Sequence, residues 1–566
     1  MTQKSYFRSG GKTPLLELTI PAHLSHIVRK FPEYEAVVSL PQGKRLTYSQ
    51  FAKEIDLLAR GLMGCGFGRG DRIGIWSTNN LEWVLVQMAV AQIGAILVNI
   101  NPAYRITELA YALKKSGVQA IFVIPSFKSS DYISMLVELF PELKDTGKQK
   151  ISSREFPFLQ RIILFNPTGA MDTQRPWPGF SVWGDVIKAA DGVSQHEMAE
   201  QVDRLDAHDS ANIQYTSGTT GFPKAVVLTH HNILNNAWFT ARIMNFSEQD
   251  RLCVAVPFYH CFGTVLASLL CFSRGACLVI ACDHFDPLLV LRAVEEEKCT
   301  ALHGVPTMFI AELDHPQFAD IDTSSLRTGI MAGAPCPEIL MKRVMEEMGC
   351  PEILIGYGET EASPLTHLTR PEDDMEQRTR TVGRNLPHQE VKIIDTADGS
   401  ILPLGRTGEL CFRGYHIMKG YYNDPGATAE AIDEDGWLHS GDLGAMDKKG
   451  YVSITGRLKE MIIRGGENIY PWEIEEVIFN HAKVSDVAVF GVPDDYWGEE
   501  IMVWIILHKG RRLSAEEIHD FCGASLAHFK IPRYIHFVKE FPMTVTGKVQ
   551  KFRMRQTAIR EMNLKI

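Results

Sequence analysis

Apolar positions along the first quarter of the chain alternate between two textures. Phe51, Ile55, Leu58 and Leu62 fall on one face of a helix. Its start is marked by Thr47 and Gln50, a Thr-x-x-Gln box in which each side chain satisfies the other residue's backbone N–H. Short apolar runs at 72–76, 95–100 and 119–124 then alternate with helical patterns at 81–92 and 106–115. Strand followed by helix, repeated, predicts a largely parallel sheet with helices on its faces. The alternation resumes beyond residue 225, with runs at 225–228, 277–281 and 301–304 and helical stretches at 230–244, 287–297 and 337–348.

Between these two blocks, residues 126–206 carry Pro and Gly punctuation such as Asn166-Pro167-Thr168-Gly169 and read as connectors around further strands. Past Pro387 the runs shorten to 391–394, 408–412 and 450–454, separated by Gly, Asp and Asn, which predicts a small β-rich subdomain. A second helix and strand set follows. Pro471 opens a helix, Ser514 to Glu517 is another capping box, and 484–492, 501–507 and 534–538 read as strands. The fold class is therefore α/β: a large N-terminal domain over 1–456, a junction at 457–460 and a small α+β domain over 461–566.

Length agrees, since 566 residues exceed what one hydrophobic core organises. Against 58 basic side chains stand 68 acidic ones, a net charge of −10, which argues against a nucleic-acid binder that depends on bulk positive charge. Eleven cysteines include no C-x-x-C pair, although Cys261, Cys271, Cys277, Cys282 and Cys299 lie close together in sequence. Buried reduced thiols in a reducing compartment are expected. Residues 1–21 lack an apolar signal core, which points to the cytoplasm or, in a eukaryote, the mitochondrial matrix. The stretch 84–98 is apolar, yet Gln87, Gln92 and Gly94 interrupt it and it falls short of the roughly 20 residues of a membrane span. It reads as a buried helix running into a buried strand.

One stretch concentrates chemistry: Tyr215-Thr216-Ser217-Gly218-Thr219-Thr220-Gly221-Phe222-Pro223-Lys224-Ala225. Two glycines permit sharp turns, hydroxyls crowd the loop and Lys224 closes it, so amides, hydroxyls and an ammonium can converge on an anion. The spacing is not that of the common P-loop. Further along stand Met331-Ala332-Gly333-Ala334-Pro335, Gly356-Tyr357-Gly358-Glu359-Thr360-Glu361, Trp437-Leu438-His439-Ser440-Gly441-Asp442, Gly456-Arg457-Leu458-Lys459-Glu460, Gly465-Gly466-Glu467-Asn468 and Pro542-Met543-Thr544-Val545-Thr546-Gly547-Lys548. His260 lies in Tyr259-His260-Cys261, where a core histidine is the rival reading.

In this order the strings resemble the adenylate-forming superfamily of acyl-CoA synthetases, luciferases and peptide-synthetase adenylation domains. The strings His528-Phe529-Lys530-Ile531-Pro532 and Gly465 to Pro471 look most like its medium-chain fatty acyl-CoA synthetase branch. The resemblance implies a ligase that uses ATP, magnesium (Mg2+) and coenzyme A to convert a fatty acid first to acyl-AMP and then to acyl-CoA. It implies that residues 216–224 grip phosphate, that Gly333, Ala334 and Pro335 let backbone approach adenine, and that Tyr357 stacks on the base. Thr360 would approach the α-phosphate, Glu361 help hold magnesium, Asp442 and Arg457 contact the ribose, and His260 border the acyl slot walled by 265–272. Lys459 would be the hinge, Gly465 and Gly466 would line the pantetheine tunnel, and Lys548 would be the catalytic lysine. Position 359 is Glu where many relatives carry Met, which adds a carboxylate beside the nucleotide. Aryl acids, transfer to a carrier protein, a luciferase-like oxygenase and a non-catalytic nucleotide-binding module are the alternative readings. Peripheral contact with lipid and a homodimer are compatible with this reading.

Overall fold

The computed structural model describes residues 3–144, 151–167, 179–216, 223–334, 336–465, 467–543, 549–562 and 564. Two compact units emerge. One comprises residues 8–390 and 413–438, the other 1–7, 391–412 and 439–566.

The larger unit is built on two sheets. An eight-stranded sheet runs from Ser181–Val182 through Arg161–Leu164, Ala120–Val123, Arg72–Trp76, Ile96–Ile100 and Ser210–Thr216 to Lys224–Thr229 and Gly420–Tyr421. Its first five pairings are parallel and its last two antiparallel. A nine-stranded sheet has a parallel centre from Glu352–Gly358 to Glu35–Ser39 and antiparallel edges. Parallel strands are buried on both faces, which is why their sequences read as continuous apolar runs. The predicted elements at 72–76, 81–92, 287–297 and 301–304 have the expected bounds, and the Thr47–Gln50 box caps the helix Tyr48–Gly64. The apolar stretch 84–98 is indeed a buried helix, Leu81–Gln92, leading into a buried strand, Ile96–Ile100. Among the described residues no helix is long and apolar enough to cross a membrane.

Residues 126–206 are more helical than punctuation suggested. Tyr132–Leu139, Trp183–Ala189 and Gln195–Asp203 are helices around the strand Arg161–Leu164. The last of these begins with a Ser194–Glu197 capping box that the surrounding polarity hides. Trp76 stacks on Tyr132 with ring centroids 3.5 Å apart, pinning Tyr132–Leu139 to the sheet. All eleven cysteines are free, and nine are buried.

In the smaller unit, the strands Tyr6–Arg8, Gln389–Ile394, Gly408–Gly414, Leu438–Met446 and Val452–Arg457 form one sheet, the β-rich part expected past Pro387. A second sheet pairs Val484–Asp494 with Gly498–Leu507 antiparallel, and Tyr534–Phe537 adds in parallel. Helices Pro471–Phe479 and Ala515–Gly523 cover an aliphatic core of Ile474, Ile478, Val489, Val503 and Ile518.

Candidate functional site

In the larger unit the site is assembled where strand ends meet. Ser210–Thr216 delivers Thr216 at its last position, and Lys224 opens the antiparallel partner strand with Thr216 opposite it. The two antiparallel strands therefore set Thr216 and Lys224 side by side at the same end of the sheet. Tyr215 Oη donates to Ala112 O at 2.6 Å, and Tyr111 Oη donates to Pro223 O at 3.0 Å. These phenols tether both stems of the loop to the helix Ile106–Ser116. Ser217, Gly218, Thr219, Thr220, Gly221 and Phe222 lie outside the described residues, as do Pro335, Gly466 and Lys548.

Glu361 is the convergence point. Its Oε1 accepts from Tyr421 Oη at 2.9 Å and from Thr216 Oγ1 at 3.4 Å, and its backbone carbonyl accepts from Met418 N at 2.8 Å. Lys224 Nζ sits 4.6 Å from the centroid of the Tyr421 ring. Burial raises the Tyr421 phenol far above its ordinary value, and the neighbouring charges of Glu361, Glu359 and Asp424 raise it further. Tyr421 therefore keeps its proton and remains a donor to the carboxylate. The pattern along the chain does not single it out. Its only local signal is the Gly420-Tyr421-Tyr422 string, which pairs with the Lys224–Thr229 strand so that Tyr421 faces Val226.

Tyr357 and Thr360 follow from the strand Glu352–Gly358, which extends through Tyr357 rather than ending before it. Ala332 pairs with Gly356, so the 331–334 segment and Tyr357 leave adjacent strands side by side. Gly333 has φ +88°, a conformation that favours glycine, consistent with a close backbone approach. A Cβ on Gly358 would meet Pro364 O at 2.0 Å, so the turn into Thr360–Ala362 requires glycine. Thr360 is buried, with its Oγ1 3.6 Å from Cys261 Sγ.

His260 is half-buried and caps the short helix Cys261–Gly263, its Nδ1 accepting from Phe262 N at 3.3 Å. Its Nδ1 also lies 3.5 Å from Cys261 Sγ, so His260, Cys261 and Thr360 form a chain. Residues 264–269 then wind as a π-helix, an irregularity frequent at functional sites, and 265–272 are buried throughout.

In the smaller unit, Asp442 and Arg457 are cross-strand partners, with Arg457 Nε 3.0 Å from Asp442 Oδ1. The carboxylate is buried and the guanidinium exposed. Lys459 is exposed in the turn Leu458–Glu460. Gly465 has φ +59°, its N–H donates to Trp497 O at 2.8 Å, and a Cβ there would strike the Trp497 ring at 2.6 Å. Residues 543 and 549, which flank the segment bearing Lys548, pair antiparallel. Lys551, just beyond, lies 2.7 Å from Glu475 and 3.4 Å from Glu460. Burial pulls its ammonium down, but the two carboxylates outweigh this and leave it above its ordinary value. The helix Lys551–Glu561 is thereby anchored to the turn that carries Lys459.

A family model described as AMP-binding enzyme matches residues 24–422, and another described as AMP-binding enzyme C-terminal domain matches residues 473–548. The chain is similar to YngI of Bacillus subtilis (strain 168), described as a putative acyl-CoA synthetase, with 47% identity over 97% of this chain and 99% of that one. It is 40% identical to the mitochondrial medium-chain acyl-CoA ligase ACSF2 of Homo sapiens, over 99% of this chain and 91% of that one. Among solved structures, ATP-bound MatB from Rhodopseudomonas palustris matches with a TM-score of 0.81 and 26% identity, over 96% of this chain and 99% of that one. With that family model spanning residues 24–422 and relatives 40–47% identical over nearly its whole length, the chain belongs to the AMP-binding enzyme family.

Proposed function

We propose that this protein is an AMP-forming acyl-CoA ligase acting on medium- to long-chain fatty acids. The observation that carries this reading is the convergence of Tyr421 and Thr216 on Glu361, with Lys224 alongside, at the mouth of the 216–224 loop. In the first half-reaction the fatty acid carboxylate attacks the α-phosphate of ATP, giving acyl-AMP and releasing pyrophosphate. Two anions must approach one another, and Lys548, Lys224 and the hydroxyls of the loop and Thr360 stabilise the charge that gathers between them. Tyr357 flanks adenine, Gly333 and Ala334 admit it, and Asp442 accepts from the ribose hydroxyls with Arg457 beside it. An ionised carboxylate suits that task, with two acceptor oxygens and no donor.

The donor set around Glu361 also fits magnesium. It is all hard oxygen, and this ion is held by one or two carboxylates while phosphates and water complete its shell. Bound there, the ion would neutralise phosphate charge.

In the second half-reaction the thiol of coenzyme A attacks the acyl carbonyl and AMP departs. Rotation about Lys459 withdraws Lys548 and brings the Gly465 and Gly466 loop to the site, so one site serves two chemistries in turn. Val265 to Phe272 wall the acyl slot, with His260 at its entrance. The identity to proteins named as acyl-CoA synthetases, one of them medium-chain, supports fatty acid over aryl acid and coenzyme A over a carrier protein.

The test is thioester formation across straight-chain acids of increasing length, with benzoate and coumarate as aryl controls. Medium-length acids should be the best substrates. Lys548→Ala should abolish adenylate formation and spare thioester formation from supplied acyl-AMP. Equal loss of both steps would refute the division of labour.

A further inference from the structure

Asp442 does not stand alone on its strand. It ends the segment His439-Ser440-Gly441-Asp442 of Leu438–Met446, whose neighbour in the sheet, Gly408–Gly414, presents Glu409 and Cys411 two residues apart on one face. Glu409 uses both oxygens on that segment. Oε1 accepts from Gly441 N at 3.1 Å, and Oε2 lies 3.2 Å from His439 Nδ1. Cys411 Sγ approaches the same nitrogen, at 3.6 Å. Ser440 Oγ donates to Leu410 O at 2.8 Å and accepts from Asp442 N at 3.0 Å. Gly441 takes φ +68°, a left-handed turn between residues that are clamped on either side.

The geometry points to Glu409 as a positioning residue for nucleotide binding: with His439 and Ser440 it fixes the turn at Gly441 and so sets where the Asp442 carboxylate meets the ribose. This inference rests on the reading of Asp442 as the ribose ligand. A pure packing role would be filled as well by a neutral side chain, whereas this one needs two acceptor oxygens and a charge. Glu409 is largely buried, and a buried carboxylate holding one backbone N–H and one imidazole leaves little freedom in the segment between. The alternative use of the same three side chains, as a metal site, is weaker. Glu409 and Cys411 are both already directed at His439 Nδ1, and the second is a thiol that burial keeps protonated.

Glu409→Gln separates these roles, because the amide has one acceptor and sets an NH2 group against either His439 Nδ1 or Gly441 N–H. The expected result is a KM for ATP raised about tenfold, with kcat and the KM values for acid and coenzyme A changed by less than about twofold. With 2′,3′-dideoxy-ATP, which has no ribose hydroxyls for Asp442, the variant and the parent should perform alike. Equal weakening toward ATP and the dideoxy analogue would overturn the proposal, since Glu409 would then act on the fold and not through the ribose. Asp442→Asn, run in parallel, distinguishes the two levels. If it leaves the KM for ATP unchanged, the ribose reading itself fails and this inference falls with it. If it raises that KM while Glu409→Gln does not, only the positioning role fails. Should Glu409→Gln not yield folded protein, Ser440→Ala removes the hydroxyl that accepts from Asp442 N and puts the same question, with the same analogue-dependent outcome expected.

Discussion

A phenol held against a carboxylate is a useful donor only while it keeps its proton. Burial and three nearby carboxylates ensure that Tyr421 does. Its hydrogen bond to Glu361 is charge-assisted and orients a carboxylate that borders Thr216, with Lys224 over the same phenol ring. Tyr421→Phe keeps the ring beneath Lys224 and removes only the hydroxyl. Adenylation, followed as acid-dependent pyrophosphate exchange, should fall about tenfold in kcat/KM, the cost of one hydrogen bond to a charged group. Because the phenol titrates far above neutrality, the loss should be the same at about pH 6 and about pH 9. A loss that vanished at high pH would mean that the parent phenol ionises, contrary to its surroundings. Residues of this kind escape sequence reading for a definite reason. Glu361 sits in a legible string, but Tyr421 lies 60 positions away and reaches it only because Gly420–Tyr421 adds as an edge strand to Lys224–Thr229.

At the scale of elements, periodicity located the strands and helices whose own apolar pattern shows their burial, as at 72–76 and 81–92, which have the expected bounds. It failed where an element's role is to receive something distant. Gln87 and Gln92 read as interruptions of an apolar run. Gln87 in fact reaches the π-helix Thr264–Leu269, donating to Thr264 O at 3.0 Å and accepting from Ser268 Oγ at 2.8 Å. Asn99 donates to Thr264 Oγ1 at 2.8 Å from the next strand, and Asn212 donates to Asn99 Oδ1 at 2.9 Å. A line of buried amides thus fixes the wall proposed for the acyl slot, and an amide is suited because it donates and accepts at once. Gln87→Met fills nearly the same volume and removes the amide's two hydrogen bonds, leaving the Ser268 hydroxyl with Thr264 O, which it already reaches at 2.6 Å. It should cost about 0.5–1.5 kcal/mol in urea unfolding and shift the preferred acid length while leaving the KM for ATP unchanged. Unaltered stability would show that the two helices hold their spacing without the amide.

For the whole molecule, the α/β class and the order of elements were legible because short continuous apolar runs that alternate with helical patterns suit the strands of a parallel sheet covered on both faces. What no local pattern encodes is the sheet pairing by which 391–412 and 439–457 join one another and Tyr6–Arg8. Nor does sequence reveal which histidines are sealed from water. His230 and His303 are held down to about 4, and His367 and His416 to about 3, in each case chiefly because burial disfavours the charged imidazole. All four lie in the larger unit. Depressed values mean that the folded state holds these rings neutral while the unfolded chain, titrating near 6.5, takes up protons first. Their contribution is therefore present above about pH 6.5 and is lost as pH falls toward the folded values, at about 1.4 kcal/mol per pH unit for each ring. Across the interval from about pH 6.5 to about pH 4.5 two carboxyls act in the opposite sense, since burial raises Asp486 to about 6 and Glu312 above its ordinary value so that each gains its proton first in the folded state, but the four rings outnumber them. The melting temperature should decline steadily across that interval, and His416→Met, which removes one titrating ring, should make the decline shallower. A melting temperature flat between those limits would place water at the rings and refute their burial.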